Sequence, residues 1–161
     1  MSSQKTIDTI LTIGCGNVTQ KRVRPAQLQL HEEGVLRRAA YLDILPRCPF
    51  DFEKDNPKDF GSDYIPIDSD GILPLEKLAQ QGYLGPHVLA LVCPPTPFHV
   101  LYAKQLLGTG CRIAVEKPLT QERVAGESLL FFDEVVFPIG HQLFKDEMLK
   151  FLLQVKEGEE L

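Results

Sequence analysis

The 161-residue chain lacks an apolar run long enough to span a bilayer, and its polar first residues show no signal peptide. Its four cysteines form no C-x-x-C pair, which argues against a zinc ribbon, and its four histidines are too scattered to predict a metal site. A net charge of -5 argues against a nucleic-acid or membrane partner. We therefore expect a cytoplasmic globular protein with free thiols and no bound metal.

Segments with strand-like and helix-like patterns alternate along the chain. The apolar patterns predict strands at residues 9–13, 36–42, 88–92, 112–115 and 135–139. They predict helices at residues 18–33, 73–81, 98–107, 120–130 and 144–155, with a kink or late start at Pro25 in the first helix. Residues 45–61 are predicted to form a long loop. This alternation indicates one α/β domain over residues 1–161, with a doubly wound, mostly parallel sheet and with residues 144–161 as its last helix and tail.

The first predicted strand ends in a glycine-containing turn that opens the first helix. We define the glycine turn as the five residues Gly14, Cys15, Gly16, Asn17 and Val18. In dinucleotide-binding folds the first glycine permits a tight turn, the second lets the pyrophosphate approach the backbone, and the helix N-terminus supplies amide donors. The third glycine position is occupied by Thr19, so the G-x-G-x-x-G fingerprint is incomplete. The turn, followed by a helix, predicts a Rossmann-like nucleotide site.

An acidic residue, Asp43, ends the second predicted strand. An acid at this position binds the adenosine ribose hydroxyls in dinucleotide-binding folds, and it favours NAD over NADP. Arg47 lies nearby in the sequence and is able to accept a 2′-phosphate, so NADP stays open. The alternative interpretation makes Asp43 an ordinary turn residue ahead of Leu45-Pro46.

Three further segments follow the glycine turn in a characteristic order. They are V-C-P-P-T-P-F-H at residues 92–99, V-E-K-P-L at residues 115–119 and I-G-H-Q at residues 139–142. Together with the glycine turn, from about residue 9 to residue 151, this order resembles the N-terminal, NAD(P)-binding half of the Gfo/Idh/MocA family of oxidoreductases. The Glu-Lys-Pro tripeptide after a strand is the most specific part of the resemblance.

The resemblance implies hydride transfer between NAD(P) and an alcohol carbon of a sugar or cyclitol. It places Lys117 near the nicotinamide and the substrate as a catalytic residue, with His141 as a second candidate. The Lys117–Pro118 bond is a candidate cis peptide. The cofactor-binding residues that the resemblance implies beyond the glycine turn and Asp43 are Cys93, Pro94, Pro95, Thr96, His99, Glu116 and Lys117.

The chain departs from the family at its end, because a second α/β domain that carries the family's usual general acid and base is expected to be absent. It is then a fragment, one subunit whose partner chain or second copy supplies the missing part, or a stand-alone domain. A non-catalytic nucleotide-binding or regulatory module is therefore an alternative function. A second alternative is an S-adenosylmethionine-dependent methyltransferase, which also uses a glycine turn and an acid but leaves the Glu-Lys-Pro segment unexplained.

Overall fold

The computed structural model of the chain describes residues 6–118 and residues 135–136. A parallel sheet of six strands occupies its centre, in the order β3-β2-β1-β4-β5-β6. The strands are β1 (Thr9–Ile13), β2 (Arg38–Asp43), β3 (Gly61–Pro66), β4 (Val88–Val92), β5 (Arg112–Val115) and β6 (Val135–Val136). This is the strand order of doubly wound dinucleotide-binding folds, so the predicted Rossmann-like α/β class is confirmed.

Helical segments connect the described strands. They are α1 (Arg24–Glu32), α2 (Phe52–Asp55), α3 (Leu75–Gln80) and α4 (His99–Leu106), with a π-helical segment at Thr19–Val23 and a 3-10 turn at Thr96–Phe98. The predicted helix over residues 18–33 is continuous from residue 17 to Glu32, with the π-helical segment ahead of α1, and Pro25 lies just after that segment. Val23 and Arg24 are both helical at the junction, so the prediction of a late helix start at Pro25 is wrong, and the irregularity is the π-helical segment that precedes the proline.

The sheet is covered on both faces, as the continuous apolar runs predict. Every residue of β1 and β4 is buried. One apolar layer lies between the sheet and the helices α3 and α4, where Ile13 belongs to the same cluster as Leu78 and Leu106. The other layer lies under α1, where Ile10 clusters with Leu30. The two layers fix the ends of the central strands, and with them the residues that follow each strand.

The predicted loop over residues 45–61 is wrong in part, and one strand escapes the sequence pattern altogether. The segment contains the short helix α2, which Asp51 caps by accepting a hydrogen bond from the Lys54 backbone N–H at 3.2 Å. Strand β3 begins where the loop ends and is an outermost strand of the sheet, paired on one side only. Its sequence G-S-D-Y-I-P has a single buried residue, Ile65, so it shows no apolar alternation. An edge strand needs little burial, which removes the signal on which strand prediction depends.

Several predictions fall outside the described residues. These are the helices at residues 120–130 and 144–155, the tail, and residues 137–142 with His141. Over the described part of the chain, no helix is long and apolar enough to cross a membrane. The single-domain division over residues 1–161 stays a prediction.

Candidate functional site

Three predicted site segments meet at the carboxyl edge of the sheet. Residues Ile13, Leu42 and Val92 lie in register in β1, β2 and β4, and Val92 lies in register with Val115 of β5. The backbone ladder continues one residue past the strand ends. The bonds run from the Gly14 N–H to Leu42 O, from the Cys93 N–H to Ile13 O and from the Glu116 N–H to Val92 O, with N···O distances of 2.7, 2.8 and 2.9 Å. Ligands of open α/β sheets bind at this edge.

Gly14 is required by a close approach between the glycine turn and the residues after β4. A Cβ atom at Gly14 would lie 2.6 Å from Pro94 N and 2.7 Å from both Pro94 Cα and Cys93 C, and the residue has a φ of +93°. These are backbone atoms, which cannot move aside as a side-chain tip can. Glycine at this position therefore allows the segments that follow β1 and β4 to lie in direct backbone contact.

Gly16 serves a different purpose from Gly14. A Cβ at this position would meet nothing within 4 Å, and both Gly16 and Asn17 are exposed. No contact within the described residues demands a glycine here. The open space in front of the turn fits a ligand group that approaches the backbone, which is the role that the fingerprint assigns to the second glycine.

Asp43 lies directly against the glycine turn. Its Oδ2 accepts a hydrogen bond from the Cys15 backbone N–H at 2.6 Å, and its Oδ1 accepts one from the Leu45 N–H at 3.2 Å. The carboxylate is half-buried, so it still has an open side and further lone pairs. The structure thus brings the predicted acid and the predicted turn into contact.

The thiol of Cys15 is in surroundings that disfavour the reactive thiolate form. Cys15 is 1% exposed, and burial, followed by the charge of Asp43, raises its pKa above the usual range. Burial and then the charge of Glu116 likewise raise the pKa of Cys93. Both thiols stay protonated at neutral pH, and all four cysteines of the chain are free. Both side chains belong to the apolar layer under α1.

Two side chains that were not predicted as site residues hold the glycine turn. Thr19 is fully buried, and its hydroxyl donates to the carbonyl of Gly14 at 2.5 Å. Gln20 Nε2 donates to the carbonyl of Cys15 at 2.8 Å. The signal that points to them is position alone, because the first helical residues after a glycine turn are the ones within reach of its carbonyls.

A buried arginine, Arg24, anchors the β2–β3 connection behind the site. It is 5% exposed, and its guanidinium donates to Tyr41 Oη at 3.2 Å and to Asn56 Oδ1 at 2.7 Å. It also lies 4.8 Å from the ring centroid of Phe50 and 5.3 Å from that of Phe52. Over the part of the chain that is described, no carboxylate forms an ion pair with it. Aromatic faces and neutral acceptors stabilise this cation instead.

The segments after β4 and β5 supply the other predicted site residues. After β4, Cys93, Pro94 and Thr96 are half-buried and Pro95 is exposed. After β5, Glu116 is 6% exposed, whereas Lys117 is exposed. The Lys117–Pro118 peptide bond is cis, as predicted. Lys117 therefore has an open ammonium group at the carboxyl edge, on the side of β1 opposite to Asp43.

His99 lies within the protein, between these two segments. It is 1% exposed, with Nδ1 2.8 Å from Pro118 O and Nε2 2.7 Å from Pro94 O. Both ring nitrogens thus face backbone carbonyls. A metal centre is not formed by the described side chains, among which no group of three or more His, Cys, Asp or Glu residues has a suitable arrangement.

No protein-family profile and no curated protein sequence matches the chain. Solved structures do match its fold. The Bacillus subtilis protein yvaA, assigned as an oxidoreductase, is 19% identical with a TM-score of 0.55, over 95% of this chain and 41% of its own. Glucose-6-phosphate 1-dehydrogenase from Mycobacterium avium is 18% identical with a TM-score of 0.56, over 83% of this chain and 36% of its own. KijD10, a 3-ketoreductase from Actinomadura kijaniata solved with NADP and TDP-benzene, is 23% identical with a TM-score of 0.50, over 76% of this chain and 32% of its own.

These comparisons establish the fold, since identities this low carry no more than that. The chain spans less than half the length of each of these three proteins.

Proposed function

We propose that the chain is the nicotinamide-dinucleotide-binding domain of a Gfo/Idh/MocA-like oxidoreductase. The observation that carries the proposal is the contact between the Asp43 carboxylate and the Cys15 N–H of the glycine turn. This contact brings together, at the carboxyl edge of the sheet, a carboxylate that is able to accept hydrogen bonds from ribose hydroxyls and a glycine turn whose backbone leaves space for a pyrophosphate. The fold shared with yvaA, KijD10 and the Mycobacterium avium dehydrogenase supports the same conclusion.

The described residues fit a dinucleotide along the carboxyl edge. The open space at Gly16 would receive the pyrophosphate, and Asp43 would accept hydrogen bonds from the adenosine ribose. Pro94, Pro95 and Thr96 would line the nicotinamide ribose, with Glu116 and Lys117 beside the ring. Asp43 makes NAD the preferred cofactor, because a carboxylate repels the 2′-phosphate of NADP.

A bound nicotinamide supplies a hydride donor or acceptor. Lys117 would then place its ammonium near the reacting oxygen of a sugar- or cyclitol-like alcohol, where it stabilises developing negative charge. The reaction also needs a group that takes or gives the hydroxyl proton. His141 stays a candidate for that role, and a second domain or partner chain is the other source.

Titration with NADH and NADPH tests the binding proposal, using the wild type and the variants Gly16→Val and Gly61→Val. Gly16→Val places a branched side chain in the open space, and we expect its NADH affinity to fall at least about tenfold while its melting temperature does not fall. Gly61→Val is the matched control. Gly61 begins β3, so it lies at the amino ends of the strands, away from the carboxyl edge, and a Cβ there makes ordinary contact with Arg38.

Wild-type protein that binds neither nucleotide would refute the proposal, as would Gly16→Val with unchanged affinity. Binding of S-adenosylmethionine without NADH would favour the methyltransferase alternative. Binding of NADH without turnover on any polyol or sugar, with and without co-purifying proteins, would favour a non-catalytic module.

A further inference from the structure

His99 joins the segments after β4 and β5 beyond the last bond of their backbone ladder, which runs from the Glu116 N–H to Val92 O. Pro94 lies two residues after β4, and Pro118 lies three residues after β5. The two carbonyls are 2.7 and 2.8 Å from the two ring nitrogens of this one side chain. The link is thus direct and short at both ends.

The chemistry of imidazole suits this position. The ring is rigid, and its two nitrogens point in different directions, so one side chain reaches two loops without extra rotatable bonds. A neutral ring donates to one carbonyl, and a doubly protonated ring donates to both. At 1% exposure the ring itself is shielded from solvent, so its nitrogens depend on these protein partners for their hydrogen bonds.

We propose that His99 is a positioning residue, which fixes the Pro94–Thr96 turn and Lys117 relative to each other and so preforms the nicotinamide half of the site. The proposal rests on the function proposed above. The described hydrogen bonds of His99 go to Pro94 and Pro118. The glycine turn, which would bind the adenosine half of the dinucleotide, is held by other side chains, those of Asp43, Thr19 and Gln20. Pro94 also lies against Gly14, so loss of His99 should act more strongly on the nicotinamide half of a bound dinucleotide than on its adenosine half, without being confined to it.

ADP and NADH separate the two halves, since ADP lacks both the nicotinamide ring and the ribose that carries it. His99→Phe keeps a ring of similar shape and removes both nitrogens. We expect its affinity for NADH to fall about tenfold, and its affinity for ADP to change less than about twofold. His99→Asn restores a donor near the position of Nδ1 and should recover part of the NADH affinity.

His87 supplies the matched control. It precedes β4 at the opposite edge of the sheet, and its Nε2 lies 3.2 Å from Gly82 O. His87→Phe should change neither affinity. If His99→Phe weakens both ligands equally, or leaves both unchanged, the positioning role is refuted.

Imidazole ¹⁵N–¹H spectra of the wild type give a second measurement, which does not depend on a variant that folds. His99 should show a ring N–H protected from solvent exchange, and its signal should move on addition of NADH but not of ADP. An unprotected ring N–H would overturn the inference even if both ligands bind. Failure of the wild type to bind either ligand, with a protected ring N–H present, would instead locate the error in the proposed function.

Discussion

Gly14→Ala should destabilise the protein strongly, although it adds one methyl group. The new Cβ would lie 2.6–2.7 Å from backbone atoms of Cys93 and Pro94. Forcing extra volume into a packed site costs about 1–3 kcal/mol. The φ of +93° adds about 1–2 kcal/mol for a residue other than glycine. The two contributions predict a loss of about 2–5 kcal/mol.

Gly16→Ala is the internal control for this prediction. It lies two residues away in the same turn, and its Cβ would meet no atom within 4 Å. Replacing glycine by alanine at an unstrained position stabilises a protein by about 0.4–1 kcal/mol, because the unfolded chain loses freedom. The two substitutions in one turn should therefore shift stability in opposite directions.

Urea and thermal unfolding followed by circular dichroism measure both variants, since the chain has no tryptophan to report by fluorescence. At about 2–4 °C per kcal/mol for a domain of this size, a loss of about 3 kcal/mol lowers the melting temperature of Gly14→Ala by about 6–12 °C. Equal stabilities of Gly14→Ala and the wild type would refute the reasoning, because the collision with the β4 segment would then not exist.

Arg24→Ala should lower the free energy of unfolding by about 3 kcal/mol, because it removes stacking on aromatic rings and a hydrogen bond to Asn56; an unchanged urea midpoint would contradict this. The pKa of His31 is raised, mainly by its hydrogen bond to Leu36 O. The stability that His31 contributes should be fully present at pH values below the ordinary histidine pKa and be lost as the pH rises through the raised pKa of the folded state. His31→Gln should therefore flatten the pH dependence of the free energy of unfolding. If a polyol or sugar supports turnover, Lys117→Ala should lower kcat about 100-fold while NADH affinity changes less than about twofold; an intact kcat would remove Lys117 from the mechanism.

The central strands were predictable because burial on both faces leaves a continuous apolar run. Val88–Val92 is such a run and has the predicted bounds, with proline residues close to both of its ends, and Arg112–Val115 has the predicted bounds although its burial alternates. The same reasoning located Asp43 at the end of β2, where the turn of β1 lies alongside. Position along a parallel sheet thus translates directly into proximity at its edge.

Long-range side-chain contacts that do not follow from strand pairing were not predictable. Arg24 and Asn56 are 32 residues apart, and no periodicity links a helix residue to a loop that has no pattern of its own. His99 is a comparable case, since its sequence position indicates a helix start next to the site. Its contacts with the carbonyls of Pro94 and Pro118 depend on the pairing of β4 with β5, which the sequence around His99 does not reveal.

The incomplete fingerprint shows why the physical role of a motif position matters more than its letter. The third glycine of G-x-G-x-x-G allows a helix to pack closely on the first strand. Here Thr19 occupies that position, is fully buried, and begins a π-helical segment instead of an α-helix. Its hydroxyl donates to the carbonyl of Gly14, the residue whose own close approach to β4 tolerates no side chain. The turn is therefore fixed by a side-chain hydrogen bond from within the helix, and a rule that accepts only glycine at the third position would reject a turn whose first two glycines meet the geometric demands of the fold.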